Sequence, residues 1–120
     1  MSDDEIPPPA TPAADLSLFQ RVILLILAEE PRYGLAIKEA LTNYYGEDIN
    51  HGRMYTNLDQ LAEMGYVLKG QLDKRTNLYS LTEEGHEVLQ SDLAWRLDSI
   101  GTTEAGRDRI EAHLSQYEED

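Results

Sequence analysis

The run Leu18-Phe19-Gln20-Arg21-Val22-Ile23-Leu24-Leu25-Ile26-Leu27-Ala28 is apolar apart from Gln20 and Arg21, and any fold of this chain must bury it. Asp15 or Ser17 can cap its start and Pro31 closes it; that length behind a cap specifies a largely buried helix rather than a buried strand. A chain of 120 residues leaves space for one compact domain around it. Leu, Ile, Val and Phe make up about 23% of the sequence, just above the roughly 20% below which a highly charged chain stays disordered. One modest core follows, without room for an enzyme cleft between two lobes.

The sequence has no cysteine, which removes disulfide staples, Cys-ligated zinc, iron–sulfur clusters and thiol redox switching. No apolar run approaches the roughly 20 residues that span a bilayer, and the N-terminus lacks the basic-then-apolar order of a signal peptide. The expectation is a soluble, cytoplasmic chain without a cofactor. Residues 1–14 hold Pro7, Pro8, Pro9 and Pro12 and no base. Such a segment cannot bury enough apolar area to offset its ordering entropy, and reads as a flexible tail.

Beyond the first helix, the spacing predicts a second from about Tyr33 to Tyr45, with Ile37, Leu41 and Tyr44 on one inward face and Gly46 as its stop. A third runs from about Gly52 to Met64, capped by Asn50 or His51 and ended by Gly65. The period then changes: Tyr66 to Leu72 and Thr76 to Leu81 read as two short strands joined by Asp73-Lys74-Arg75. Thr82, followed by Glu83 and Glu84, starts a helix that Val88, Leu89, Leu93, Leu97 and Ile100 carry towards Gly101. Thr103 opens a last one. The fold class is mainly α with a small β-hairpin: a winged helix-turn-helix over residues 15–81, then a C-terminal helical segment over 82–120.

The net charge of −13 argues against nucleic acid, but its distribution reverses that. Residues 1–49 carry nine acids against three bases and residues 81–120 eleven against three, whereas residues 50–80 hold Arg53, Lys69, Lys74 and Arg75 against Asp59, Glu63 and Asp73. One stretch is thus free of the acid load on both sides. Three lysines among so many acids is a composition expected in near-molar salt, where a Debye length of roughly 3 Å screens self-repulsion. An acidic mesophilic protein that avoids nucleic acid is the alternative.

The third helix lies inside the acid-poor stretch. Met54, Leu58 and Leu61 form its core stripe, while Arg53, Thr56, Asn57 and Gln60 share an arc of roughly 100° on another side. Readout of the DNA major groove uses such side chains: Arg binds guanine bidentately, Asn or Gln binds adenine, and Thr contacts a thymine methyl. His51 at the start of the helix joins this candidate set. The hairpin supplies a second candidate, Lys69 with the turn residues Lys74, Arg75, Thr76 and Asn77, which can touch phosphates or enter a narrow minor groove.

Tyr33-Gly34 with Ile37, the segment Gly52-Arg53-Met54-Tyr55 followed by Leu58, Leu61 and Gly65, and the close Leu78-Tyr79-Ser80-Leu81-Thr82-Glu83-Glu84-Gly85 carry a resemblance over roughly residues 17–90. The chain resembles the PadR-type winged-helix transcriptional regulators, and in its acidity it looks like a haloarchaeal member. The resemblance implies a homodimeric DNA-binding regulator whose recognition helix falls on Gly52 to Met64 and whose wing falls on Lys69 to Asn77. Similarity to the haloarchaeal member further implies a response to reactive oxygen. The family often has serine-proline before the glycine where this chain has Asn50-His51, and its C-terminal part is longer.

Two-fold pairing doubles the DNA contacts of a single winged domain and fixes half-site spacing. Leu89, Leu93, Trp95, Leu97, Ile100, Ile110, Leu114 and Tyr117 are more apolar than a terminal segment needs, and are expected to form the dimer seam, with or without the first helix. Counterion release contributes little in molar salt. Base-edge and shape contacts are therefore expected to carry the affinity, with bound inorganic cations bridging carboxylates to phosphates. The histidines His51, His86 and His113 stand on separate elements and form no metal site. No phosphate loop or catalytic motif is present, so no enzyme is expected. The competing function is a winged-helix protein-interaction module that does not bind DNA.

Overall fold

The computed structural model describes residues 12–71, 76–101 and 104–118. After a 3-10 turn at Pro12–Asp15 come helix α1 (Leu18–Glu29), strand β1 (Arg32–Tyr33), helices α2 (Gly34–Tyr45) and α3 (His51–Glu63), strands β2 (Val67–Gln71) and β3 (Asn77–Leu81), and helices α4 (Glu83–Ile100) and α5 (Glu104–Glu118).

The helix starts are set by side chains that accept the first free backbone N–H groups. Of the two candidate caps for α1, Ser17 does the work: its hydroxyl accepts from Gln20 N, and the Gln20 carboxamide oxygen accepts from Ser17 N, a closed capping box. Asn50, rather than His51, caps α3 by accepting from Arg53 N at 2.8 Å. Thr82 caps α4 through Gly85 N, and its hydroxyl donates to the carbonyl of Gly65 at 2.6 Å. This one side chain therefore fastens the start of α4 to the end of α3.

Ile23, Leu24, Ile37, Leu41, Met54, Leu58, Leu61 and Tyr79 are the largest fully buried side chains, drawn from α1, α2, α3 and β3. At Gly34 a Cβ would overlap the Tyr55 hydroxyl, and at Gly85 it would run into the carbonyl oxygen of Tyr66. Two glycines of the family-like motifs thus mark where α3 closes on α2 and where α4 closes on the root of β2. The α2–α3 pair with the β2–β3 hairpin behind it is a winged helix-turn-helix.

Four expectations need correction. The tail expected over residues 1–14 does not reach that far, because the turn Pro12–Asp15 puts Ala13 fully inside the core with Leu16 beside it; residues 1–11 lie outside the described residues. The hairpin is not alone: β1 pairs antiparallel with β3 (Arg32 with Tyr79, Tyr33 with Leu78), giving the strand order β1-β3-β2. Tyr44, read as inward, is 60% exposed, its ring edge-on to Tyr45. Each strand also starts one residue later than read, at Val67 and Asn77, with Tyr66 and Thr76 just outside. The hairpin residues Leu72, Asp73, Lys74 and Arg75, and Thr103 before α5, lie outside the described residues.

Candidate nucleic-acid interface

Burying Met54, Leu58 and Leu61 fixes the rotation of α3 and thereby decides what the rest of the helix presents. Opposite that stripe stand Gly52, Thr56, Asp59 and Glu63, all exposed. The four-residue arc sits between this outer face and α1, so its members differ in freedom. Thr56 is exposed. Arg53 is exposed but seated, with its guanidinium carbon 3.8 Å from the centre of the Phe19 ring on α1. Such stacking restrains the side chain while leaving its N–H groups available at the plane's edge.

Asn57 and Gln60 are tied into the protein. The Gln20 amide nitrogen donates to Asn57 Oδ1 at 3.1 Å and to Gln60 Oε1 at 3.0 Å, and Asn57 Nδ2 donates to the carbonyl of Arg53 at 2.8 Å. Asn57 is half-buried, whereas Gln60 remains exposed. His51 is exposed at the first turn of α3, its ring 4.6 Å from that of Tyr55.

The hairpin flanks the other side of α3. Lys69 on β2 reaches Asp59 at 3.7 Å, both side chains largely in solvent. Across the ladder Lys69 faces Tyr79, and Gln71 faces Asn77. Thr76 and Asn77 are half-buried at the start of β3. Burial pushes the Tyr79 phenol above the ordinary tyrosine range; Tyr55 and Asp59 add to that rise and a hydrogen bond with the Asn77 side chain opposes it. The basic pair Lys74 and Arg75 lies outside the described residues.

Sequence reasoning missed the three residues that organise this face from elsewhere: Phe19 and Gln20 on α1, and Asp59 as the partner of Lys69. The spacing Ser17-x-x-Gln20 did carry the capping-box signal for Gln20. Its second role, across the fold, had no local signature.

The apolar residues expected at a seam fall into two groups. Leu89 packs against the core and Ile110 is half-buried. Leu93, Trp95, Leu97, Ile100 and Leu114 keep between 43% and 58% of their surface exposed. The Tyr117 side chain lies outside the described residues. A groove of about 410 Å³ between α1 and α4, lined by Leu18, Leu25, Tyr44, Leu89 and Leu93, continues the same surface. Among the described residues no three His, Asp or Glu side chains gather as a metal site, and no helix is long and apolar enough to cross a membrane.

Comparison with known proteins agrees with this architecture. Residues 23–91 match the model of the transcriptional regulator PadR-like family. The complex structure of hsRosR-S1 superposes with a TM-score of 0.80 at 50% sequence identity, covering 87% of this chain and 93% of that one. RosR of H. salinarum grown from NaBr gives 0.78 at 50% identity, over 87% and 94%. A 105-residue alignment is 32% identical to a phytoene synthase of Arthrospira platensis, over 71% of this chain and 34% of that protein. The chain spans about a third of the length of that curated relative, whose activity is its own. The match to the regulator family and the RosR likeness, by contrast, take in the helices and hairpin described above, and these proteins are regulators, not enzymes. The chain belongs to the PadR-like family of transcriptional regulators.

Proposed function

We propose that the chain regulates transcription in the cytoplasm by binding an operator in duplex DNA as a homodimer, with α3 in the major groove and the wing against the backbone. The observation that carries this reading is the exposed edge of α3, where Arg53, Thr56 and Gln60 stand beside one another and Lys69 of the wing root is joined to the same helix through Asp59. Arg53 is the candidate reader of guanine and Thr56 contacts a base or thymine methyl. His51 at the helix start and Asn57 beneath the edge complete the helix set. Lys69, Lys74, Arg75, Thr76 and Asn77 form the wing set. Residues 15–81 act as the DNA-binding domain. Residues 82–120 pair two copies through the exposed apolar surface of α4 and α5.

Asp59 and Glu63 share the outer face of α3 with these readers. In molar salt, inorganic cations bridge such carboxylates to phosphates, and binding then does not depend on counterion release. A response to reactive oxygen, carried by the resemblance to a haloarchaeal regulator, has no thiol in this sequence to act through.

Gel shift on genomic fragments across a KCl series tests the reading. The expected result is a specific complex that persists in molar KCl, weakened by about 1–3 kcal/mol in Arg53→Ala. A steep monotonic fall of affinity with KCl, or an Arg53→Ala variant that binds and selects like the parent, would overturn it.

A further inference from the structure

At the crossing of α1 and α3, three side-chain amides form one hydrogen-bonded chain whose direction is fixed at both ends. The backbone N–H of Ser17 can only donate, so the Gln20 carboxamide must turn its oxygen there, at 3.1 Å. The Gln20 nitrogen is left facing α3, where Asn57 Oδ1 and Gln60 Oε1 both accept from it, at 3.1 and 3.0 Å. At the far end the carbonyl of Arg53 can only accept, and it takes its proton from Asn57 Nδ2 at 2.8 Å. Reversing any member would set donor against donor or oxygen against oxygen. Gln20 is only 7% exposed, which makes an unpaired amide there costly and the arrangement specific.

We infer that Gln20 is a positioning residue that makes Gln60 a donor-only reader of DNA, selecting keto bases over amino bases. This rests on the proposed reading of α3 as the base-reading helix. Bidentate recognition of adenine needs a free amide oxygen for the N6 amino group and a free N–H for N7. The oxygen of Gln60 is turned towards Gln20 with one lone pair taken there, which leaves Nε2 on the other side, and among the described residues nothing accepts from that Nε2. A lone amide donor suits the O6 and N7 acceptors of guanine or O4 of thymine; adenine offers it N7 alone, beside an N6 amino group that the held oxygen cannot serve, and cytosine offers only an amino group. The general pairing of Asn or Gln with adenine thus gives way, for Gln60, to a keto preference.

Selection from randomised duplexes in molar KCl, followed by sequencing, tests this with four proteins. The wild type is expected to show one position per half-site favouring guanine or thymine by about threefold to tenfold, a range suited to a single hydrogen bond. Gln60→Ala flattens that position. Gln20→Glu still serves Ser17 N with one carboxylate oxygen, but its other oxygen now accepts from Gln60 Nε2 and stands against Asn57 Oδ1, a repulsion that lowers stability without supplying Gln60 with another partner. Gln60 turns, presents its oxygen, and the same position moves to adenine or cytosine. Gln20→Met, neutral and similar in volume, releases Gln60, and the preference falls below about twofold at that position alone. A purely structural role for Gln20 would weaken binding at every position and change no base preference.

A wild type that selects no sequence removes the DNA-reading function and this inference with it. Three results overturn the inference alone while the function stands. They are a selected site in which Gln60→Ala flattens nothing, a wild-type preference for adenine or cytosine at the Gln60-dependent position, and Gln20 variants that keep the wild-type profile. Should Gln20→Glu not fold, Gln20→Met and the wild-type preference decide.

Discussion

In the winged-helix body the large apolar side chains, Ile23, Leu24, Ile37, Leu41, Met54, Leu58 and Leu61, are fully buried within one chain. In the second half of α4 and in α5, leucine, isoleucine and tryptophan at helical spacing stay about half exposed. The residue types are alike, and the difference lies in what is available to cover them. Three helices and a small sheet surround α1, whereas the side chains of α4 that are buried lie in its first half and residues 93–100 are all exposed. An amphipathic helix gains most of its stability from packing its apolar face, so the body is self-sufficient and the C-terminal helices leave a surface that the described residues do not cover.

The largest expected effect tests the self-sufficient side. Leu58→Ala opens a cavity at the centre of α3 and should destabilise by about 2–5 kcal/mol in denaturant unfolding. A loss under about 1 kcal/mol would contradict the closed core. On the other side, Leu93→Arg should leave the body folded and break the proposed pairing, on the order of 1–3 kcal/mol of association. Light scattering in high salt would then give half the parent mass, and the dependence of Tm on protein concentration would vanish. An unchanged mass would mean that this surface is not the seam.

A smaller effect reads the body through pH. Folding holds the proton of Tyr79 more tightly than the unfolded chain does, because the phenol is buried. As pH rises above about 10, the unfolded chain loses that proton first, so stability should fall there and be unaffected below. Tyr79→Phe should flatten the alkaline limb of a Tm-against-pH curve. The smallest effect is at the wing root: Lys69→Ala removes an exposed ion pair and should change stability by under about 1 kcal/mol.

Much of the body was legible because its signals are local. Ser17, Asn50 and Thr82 each cap a helix at the position that their spacing indicates, and the i, i+4, i+7 stripe of Met54, Leu58 and Leu61 is the buried face of α3. What escaped was contact between distant parts of the chain. A two-residue strand such as Arg32–Tyr33 has no alternation to read and exists only because β3 offers it an edge. The side chains of Gln20 and Gln60 lie forty positions apart, and no periodicity anticipates that they share a hydrogen bond. The burial of Ala13 depends on a surface made by residues that follow it. The candidate face was accordingly readable as a set of polar residues on one arc, though not as a wired one.

The two-residue strand has a mechanical corollary. An isolated two-stranded hairpin is marginal in water, and a third strand with a hydrophobic face makes it stand. Because that third strand is the link between α1 and α2, the base of the wing is braced like a buttress, and a force on it is delivered to the joint between the first two helices. Amide protons along the middle strand should accordingly exchange with deuterium more slowly than those of either neighbour.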